Sequence, residues 1–259
     1  MRLATWNVNS LKARLARVEE WLAYAQPDVV CLQETKLADA AFPTLAFSTL
    51  GYESAHHGDG RWNGVAILSR VGLDDVVAGF SAEAEGVAAE TRLLAATCGG
   101  IRVHSVYVPN GRSLESEQYP AKLDWLARLR DLVGAAEADG SKPVAVCGDF
   151  NIAPEDRDVY DPAKFLGETH VSDAERAALA EIEAVGLVDA FRVVYQQDRL
   201  YTWWDYRAGD FHNHRGMRID LVLLSKALAD GVRWAIIDRN ARKGQSPSDH
   251  APLVVDVEM

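Results

Sequence analysis

Five short stretches of this chain put an amide, a carboxylate or an imidazole where an apolar strand should end or continue. Asn7 follows Leu3-Ala4-Thr5-Trp6, and Glu34 follows Val29-Val30-Cys31-Leu32-Gln33. Asp149 and Asn151 come after Val144-Ala145-Val146-Cys147-Gly148; two apart in extended chain, their side chains are expected to share one face. Asp220 stands among Ile219, Leu221, Val222 and Leu223, a placement that is costly unless the acid is paired. His250 follows Asp249 in Ser248-Asp249-His250-Ala251-Pro252, just before another strand. Neighbours in extended chain point apart, so the carboxylate that orients His250 is read as a distant one, with Asp220 the available candidate.

Taken singly, each residue has a plain explanation. Glu34 suits a solvated loop, Asp149 with Asn151 an Asx turn, and His250 a structural histidine. Five such strand ends together are explained more simply by one oxygen-rich site with a single histidine. Oxygen donors suit a hard cation, Mg²⁺ with Mn²⁺ as a substitute, whereas zinc would want thiolates or several histidines. His56-His57 and His212-Asn213-His214 lie in polar loops and are read as solvated. The chemistry such a site supports is attack of water on phosphorus. That needs a base for the water, neutralisation of charge on the equatorial oxygens and stabilisation of the leaving oxygen.

The elements that must hold these residues are legible as alternating patterns. Apolar runs at Leu3–Trp6, Asp28–Leu32, Gly64–Leu68, Ile101–Tyr107, Pro143–Cys147, Ile219–Leu224, Val232–Ile237 and Pro252–Val257 predict strands. Leu11, Leu15, Val18 and Leu22 predict a helix over Leu11–Gln26 that Pro27 stops, and a second covers about Gln118 to Ala136. A third opens on the capping box Ser172-Asp173-Ala174-Glu175 and ends at Gly186. No linker breaks the 259 residues, so one domain over 1–259 is expected, an α/β (α+β) fold with mixed sheets stacked face to face and helices outside.

Composition bounds the rest. Cys31, Cys98 and Cys147 are odd in number and widely spaced, which suggests neither a disulfide framework nor a zinc set. The residues after Met1 resemble no signal peptide and no apolar run approaches a membrane span, so a cytoplasmic protein without membrane attachment is expected. The net charge of −11 runs against binding a polyanion. A cation gathered by the acids reverses the local sign of the field that a phosphate meets.

Trp6-Asn7-Val8-Asn9-Ser10, Leu32-Gln33-Glu34-Thr35-Lys36, Tyr107-Val108-Pro109-Asn110-Gly111, Gly148-Asp149-Phe150-Asn151, Trp203-Trp204-Asp205-Tyr206-Arg207, Arg218-Ile219-Asp220-Leu221 and Ser248-Asp249-His250-Ala251-Pro252 together resemble the exonuclease III family. This is the bacterial branch of the apurinic/apyrimidinic endonucleases, within the endonuclease/exonuclease/phosphatase superfamily. The motifs cover nearly the whole chain in the family's order. The resemblance implies a four-layered sandwich and a monomeric, Mg²⁺-dependent DNA-repair enzyme. Such an enzyme acts on double-stranded DNA, 5′ to abasic sites and at blocked 3′ ends. It implies Glu34 as principal metal ligand, with Asn7 and Asp249 near the cation and Asp149, Asn151 and His250 completing the candidate set. Asp149 would be base or proton donor, Asn151 would orient the water or stabilise the transition state, Tyr107 would contact phosphate, and His250 would bind phosphate while held by Asp220. Whether Asp149 or His250 activates the water stays open. Trp203 falls where the family places an aromatic wall of the abasic-sugar pocket, while Trp204 is expected to face the core.

Arg112, Lys122, Arg207, Arg215 and Arg218 are candidate phosphate contacts. Two rival functions remain: the same fold acting on a non-DNA phosphoester, and a catalytically silent DNA-binding scaffold. Aromatic and guanidinium groups in Trp203–Arg207 and Asn213–Arg218 favour DNA. The presence of every residue the reaction needs disfavours the scaffold.

Overall fold

Most of the valine- and leucine-rich runs become strands buried on both faces, between a second sheet and a layer of helix; Val232–Ile237, at a sheet edge, leaves Trp234 and Ile236 exposed. In the computed structural model, which describes residues 1–81 and 83–259, two six-stranded mixed sheets pack face to face. The first contains β1 (Arg2–Asn7), β2 (Val29–Gln33), β3 (Glu53–His57), β4 (Val65–Ser69), β11 (Val232–Ile237) and β12 (Leu253–Val257), in the order β11-β12-β1-β2-β4-β3. The second contains β5 (Asp74–Ala78), β6 (Leu93–Cys98), β7 (Ile101–Tyr107), β8 (Val144–Asp149), β9 (Leu187–Asp189) and β10 (Asp220–Ser225), in the order β5-β6-β7-β8-β10-β9. Each sheet has one parallel pair at its centre, β1 with β2 and β7 with β8, among antiparallel neighbours.

Leu3, Cys31, Ile67, Val103, Cys147, Val222 and Val255 fill the space between the sheets. Period-two alternation sends the neighbouring residues to the outer faces. There Trp6, Val30 and Leu32 pack under α1 (Leu11–Ala25) through Val18, Trp21 and Leu22. A short α2 (Thr44–Thr49) adds Phe47 to that layer. Val106, Val144 and Val146 pack under α3 (Gln118–Asp139) and α4 (Asp173–Glu183) through Trp125, Leu126, Leu129, Leu179 and Ile182. The result is the expected helix–sheet–sheet–helix order.

Helix ends follow the local chemistry. Gln26 caps α1 in the left-handed conformation before Pro27, its N–H bonded to Leu22 O at 3.1 Å. Helix α3 runs past Ala136 to Gly140, which takes φ 63°. The capping box of α4 forms as Ser172 and Glu175 exchange hydrogen bonds. The three cysteines are all buried. No described helix is long and apolar enough to cross a membrane.

Candidate active site

Strand register brings the candidate residues together. Parallel pairing sets Tyr107 beside Asp149, and antiparallel pairing sets Asp220 on its other side, so three polar side chains line one lip of the second sheet. Gly148 permits this closeness, since a Cβ there would lie 1.9 Å from Val106 O. From the first sheet come Asn7 at the end of β1 and Glu34 just past β2, the latter at φ 50°. Asn7 Nδ2 donates to Glu34 Oε1 and to Asp149 Oδ2, both at 2.9 Å, so one amide joins the two sheets across the cleft.

His250 enters from the loop before β12. Its Nδ1 lies 2.8 Å from Asp220 Oδ2 and its Nε2 lies 3.7 Å from Asp149 Oδ2, with all three side chains buried. Burial opposes a charge on the ring, but Asp220 and Asp149 outweigh it and raise the imidazole pKa to about 10. Burial pushes the Asp149 carboxyl up to about 7, against His250 and with Asp220. Asp149, Asp220 and His250 each offer a ligand atom within 4.8 Å of the others, a spacing that also suits a metal ion.

Asn151 reaches the site by a different route from the one expected. It is not in extended chain with Asp149 but at φ 50°, and its N–H donates to Asp149 Oδ1 at 2.9 Å. The Asx turn and the site coexist. Its Nδ2 donates to Val108 O at 2.9 Å and its Oδ1 accepts from Asn110 at 3.3 Å. Burial works against ionisation of Glu34, yet hydrogen bonds from Lys36 Nζ at 2.8 Å and from Asn7 outweigh it and lower its pKa. The Tyr107 hydroxyl is raised well above its usual range by burial and by the charges of Glu34 and Asp149. Asp249 accepts from Asn9 Nδ2 at 3.0 Å and from Trp203 Nε1 at 3.1 Å. Trp203 is half-buried at the cavity wall, whereas Trp204 is fully buried against Phe211.

Glu34, Tyr107, Asp149, Asn151, Trp203, Asp249 and His250 border a cavity of about 210 Å³, closed by Asn110, His170, Met217 and Ile219 as well. The sequence reading assigned no role to these four, nor to Asn9 or Lys36. Asn9, Lys36 and Asn110 sat inside quoted motifs, but His170 carries no local signal because it lies in a polar loop outside any strand. Two proposed phosphate contacts must be withdrawn. Lys122 and Arg218 are wholly buried, the first against Glu175 and the second between Asp158 and Asp189, so neither can meet a duplex. Arg207 is exposed but paired with Asp205, Arg215 is paired with Asp210, and Arg112 is exposed. His56 is not solvated, since it bonds Thr35 and Asp39 and stacks on Phe42.

Comparison with known proteins agrees with this fold. The sequence pattern of the Endonuclease/Exonuclease/phosphatase family matches residues 4–250. Exodeoxyribonuclease III of Haemophilus influenzae is 34% identical over 265 residues, covering 98% of both chains. A 3′ phosphatase from Neisseria, solved with a product DNA hairpin, superposes with TM-score 0.96 at 38% identity over all of both chains. An AP endonuclease from Archaeoglobus fulgidus superposes with TM-score 0.95 at 36% identity, again over all of both. A four-layered sandwich whose sheets meet at Glu34, Asp149, Asp220 and His250 and a family match spanning almost the whole sequence lead to one conclusion: this chain belongs to the endonuclease/exonuclease/phosphatase family, in the branch of exonuclease III and the AP endonucleases.

Proposed function

We propose that this protein is a Mg²⁺-dependent DNA-repair nuclease. In this reading it hydrolyses phosphodiesters 5′ to abasic sites and clears 3′ ends as a 3′–5′ exonuclease and 3′-phosphatase. The observation that carries the proposal is the row Tyr107–Asp149–Asp220 with His250, facing Glu34 across a cavity of about 210 Å³.

The donor set fits a hard cation. Glu34 and Asp249 offer carboxylate oxygens, no thiolate lies among the residues bordering the cavity, and Glu34 already pairs with Lys36. Asn7 turns its NH₂ to Glu34 and Asp149 and its Oδ1 to Asn9 N–H, so it positions the carboxylates. Glu34, oriented by Asn7 and with Asp249 beside it, would hold Mg²⁺ or Mn²⁺, which when bound supplies charge neutralisation on the phosphate oxygens. Charged His250, its Nδ1 committed to Asp220, presents Nε2–H to a phosphate oxygen. A ring in that state cannot accept a proton, which favours Asp149 as the group that takes one from water. With its pKa near 7, Asp149 exchanges a proton at neutral pH. Asn151, its backbone bonded to Asp149, orients the water, and the Tyr107 hydroxyl donates to the phosphate.

Selectivity follows from size. A cavity of about 210 Å³ is expected to admit an extruded sugar and its phosphate, and an abasic sugar leaves the stack at lower cost than a normal nucleotide. A terminal 3′-phosphate needs no such extrusion. The test is a panel of Mg²⁺-supplemented substrates: abasic duplex, intact duplex, a 3′-phosphate end and an inositol polyphosphate. Turnover on the damaged DNAs and none on the inositol phosphate is expected; the reverse ranking would reject DNA as substrate, and no turnover on any would favour the scaffold.

A further inference from the structure

Lys122 and Glu175 form an ion pair with both side chains at zero exposure. Taking two charges out of water is expensive, and removing either partner strands the other, so such a pair needs full hydrogen bonding to persist. It has that. Lys122 Nζ donates to Glu175 Oε1 at 2.5 Å, to Asn151 O at 2.7 Å and to Asn110 O at 3.4 Å. Glu175 Oε1 also accepts from Thr169 Oγ1 at 2.7 Å and from His170 N–H at 3.0 Å, and Oε2 accepts from Ser172 Oγ at 2.6 Å. His170 Nδ1 lies 2.6 Å from the same Asn151 carbonyl.

Three separate loops of the cavity wall therefore end on one buried pair: the Asn110 turn after β7, the Asn151 turn after β8, and the Thr169–Ser172 segment leading into α4. Asn151 stands at φ 50° and His170 at φ 76°, a left-handed region that is uncommon outside glycine but that Asn and His enter several-fold more often than other residues. In these turns Asn151 O is held by Lys122 and His170, and His170 N–H by Glu175.

We propose that the Lys122–Glu175 pair is a positioning device for the active site, fixing the Asn151 backbone so that its N–H and amide meet Asp149 and the reacting water. The inference rests on the nuclease reading above. Lys122 touches neither substrate nor metal in this account; its effect passes through Asn151.

The test measures kcat, KM and melting temperature for Lys122→Met, Lys122→Met/Glu175→Gln and Leu129→Ala. The substrates are a tetrahydrofuran abasic duplex and a 3′-phosphate duplex. Leu129 is a buried core residue of α3 that makes no hydrogen bond to the pair, and it serves as a control for loss of stability. Lys122→Met should lower kcat roughly 10- to 100-fold on both substrates with KM nearly unchanged, the loss expected for one charge-assisted hydrogen bond. The double variant removes both buried charges and should recover most of the melting temperature while kcat stays low. If kcat returns with melting temperature in the double variant, or if Leu129→Ala loses as much kcat at equal stability, the pair is only structural and the proposal fails. Inactivity of the unmodified protein on both DNAs would remove the nuclease reading itself, a separate result.

Discussion

Removing Asp220 should disable His250 without touching it. The two groups sit 2.8 Å apart, both buried, and Asp220 Oδ1 has no partner of its own. Two unit charges about 4 Å apart at an effective dielectric near 20 attract by about 4 kcal/mol. If Asp220 acts by holding the ring charged and oriented, Asp220→Ala should therefore cost about 10³-fold in kcat. His250→Ala should cost at least as much. It leaves Asp149 and Asp220 facing each other in the buried row, where one must take up a proton. The double variant should then fall within about tenfold of the worse single variant, a coupling of more than about 2 kcal/mol. The assay is single-turnover cleavage of an abasic duplex with melting temperature taken on the same samples. Losses that multiply to about 10⁶-fold in folded protein would show that the two residues work separately and would refute the reasoning.

Glu34→Gln should lower activity by several orders of magnitude and raise the Mg²⁺ concentration for half-maximal rate, read from a metal titration; an unchanged titration would take Glu34 out of the metal's surroundings. DNA affinity should fall as salt rises, and Arg112→Ala, Arg207→Ala and Arg215→Ala should each flatten the log–log slope by about one unit; slopes identical to the unmodified protein's would place the duplex elsewhere. His104 is 2% exposed, neither ring nitrogen has a partner, and burial lowers its pKa to about 3. The unfolded chain takes this proton near pH 6.5, so the stability concerned is complete above 6.5 and is lost as pH falls from there toward 3, by about 3–5 kcal/mol. Denaturant titrations should show that decline, and His104→Leu should shrink it; an equal decline in the variant would assign the acid sensitivity to other groups.

Much of the site could be read from the chain because strand ends mark themselves. An acid inside Ile219–Leu223 has to be paired, and a histidine before β12 has to be oriented, so Asp220 and His250 could be matched across 30 residues. The first helix and its stop at Pro27 followed from apolar spacing alone. Period-two alternation brings Asn151 to the site for an incomplete reason, since the residue takes a left-handed turn and its carbonyl meets Lys122 from another element. Lys122 and Arg218 were misread as surface cations because their partners, Glu175, Asp158 and Asp189, lie 29 to 60 residues away. A lysine's charge looks the same in sequence whether it meets solvent or a buried carboxylate. His170 had no strand, motif or periodic neighbour to announce it, and only the folding of α4 against α3 brings it to the cavity.

Metal-dependent hydrolysis at the Asp149 cavity is the central claim. It is tested most directly by mapping the cut in a 5′-labelled duplex that carries one tetrahydrofuran site, with Mg²⁺ and with excess chelator. The unmodified protein should cut immediately 5′ to the site and leave a 3′-hydroxyl. It should do so only with the metal, and Asp149→Asn should lower the rate about 10³-fold. A cut on the 3′ side, a full rate in chelator, or an Asp149→Asn variant as fast as the unmodified protein would contradict it.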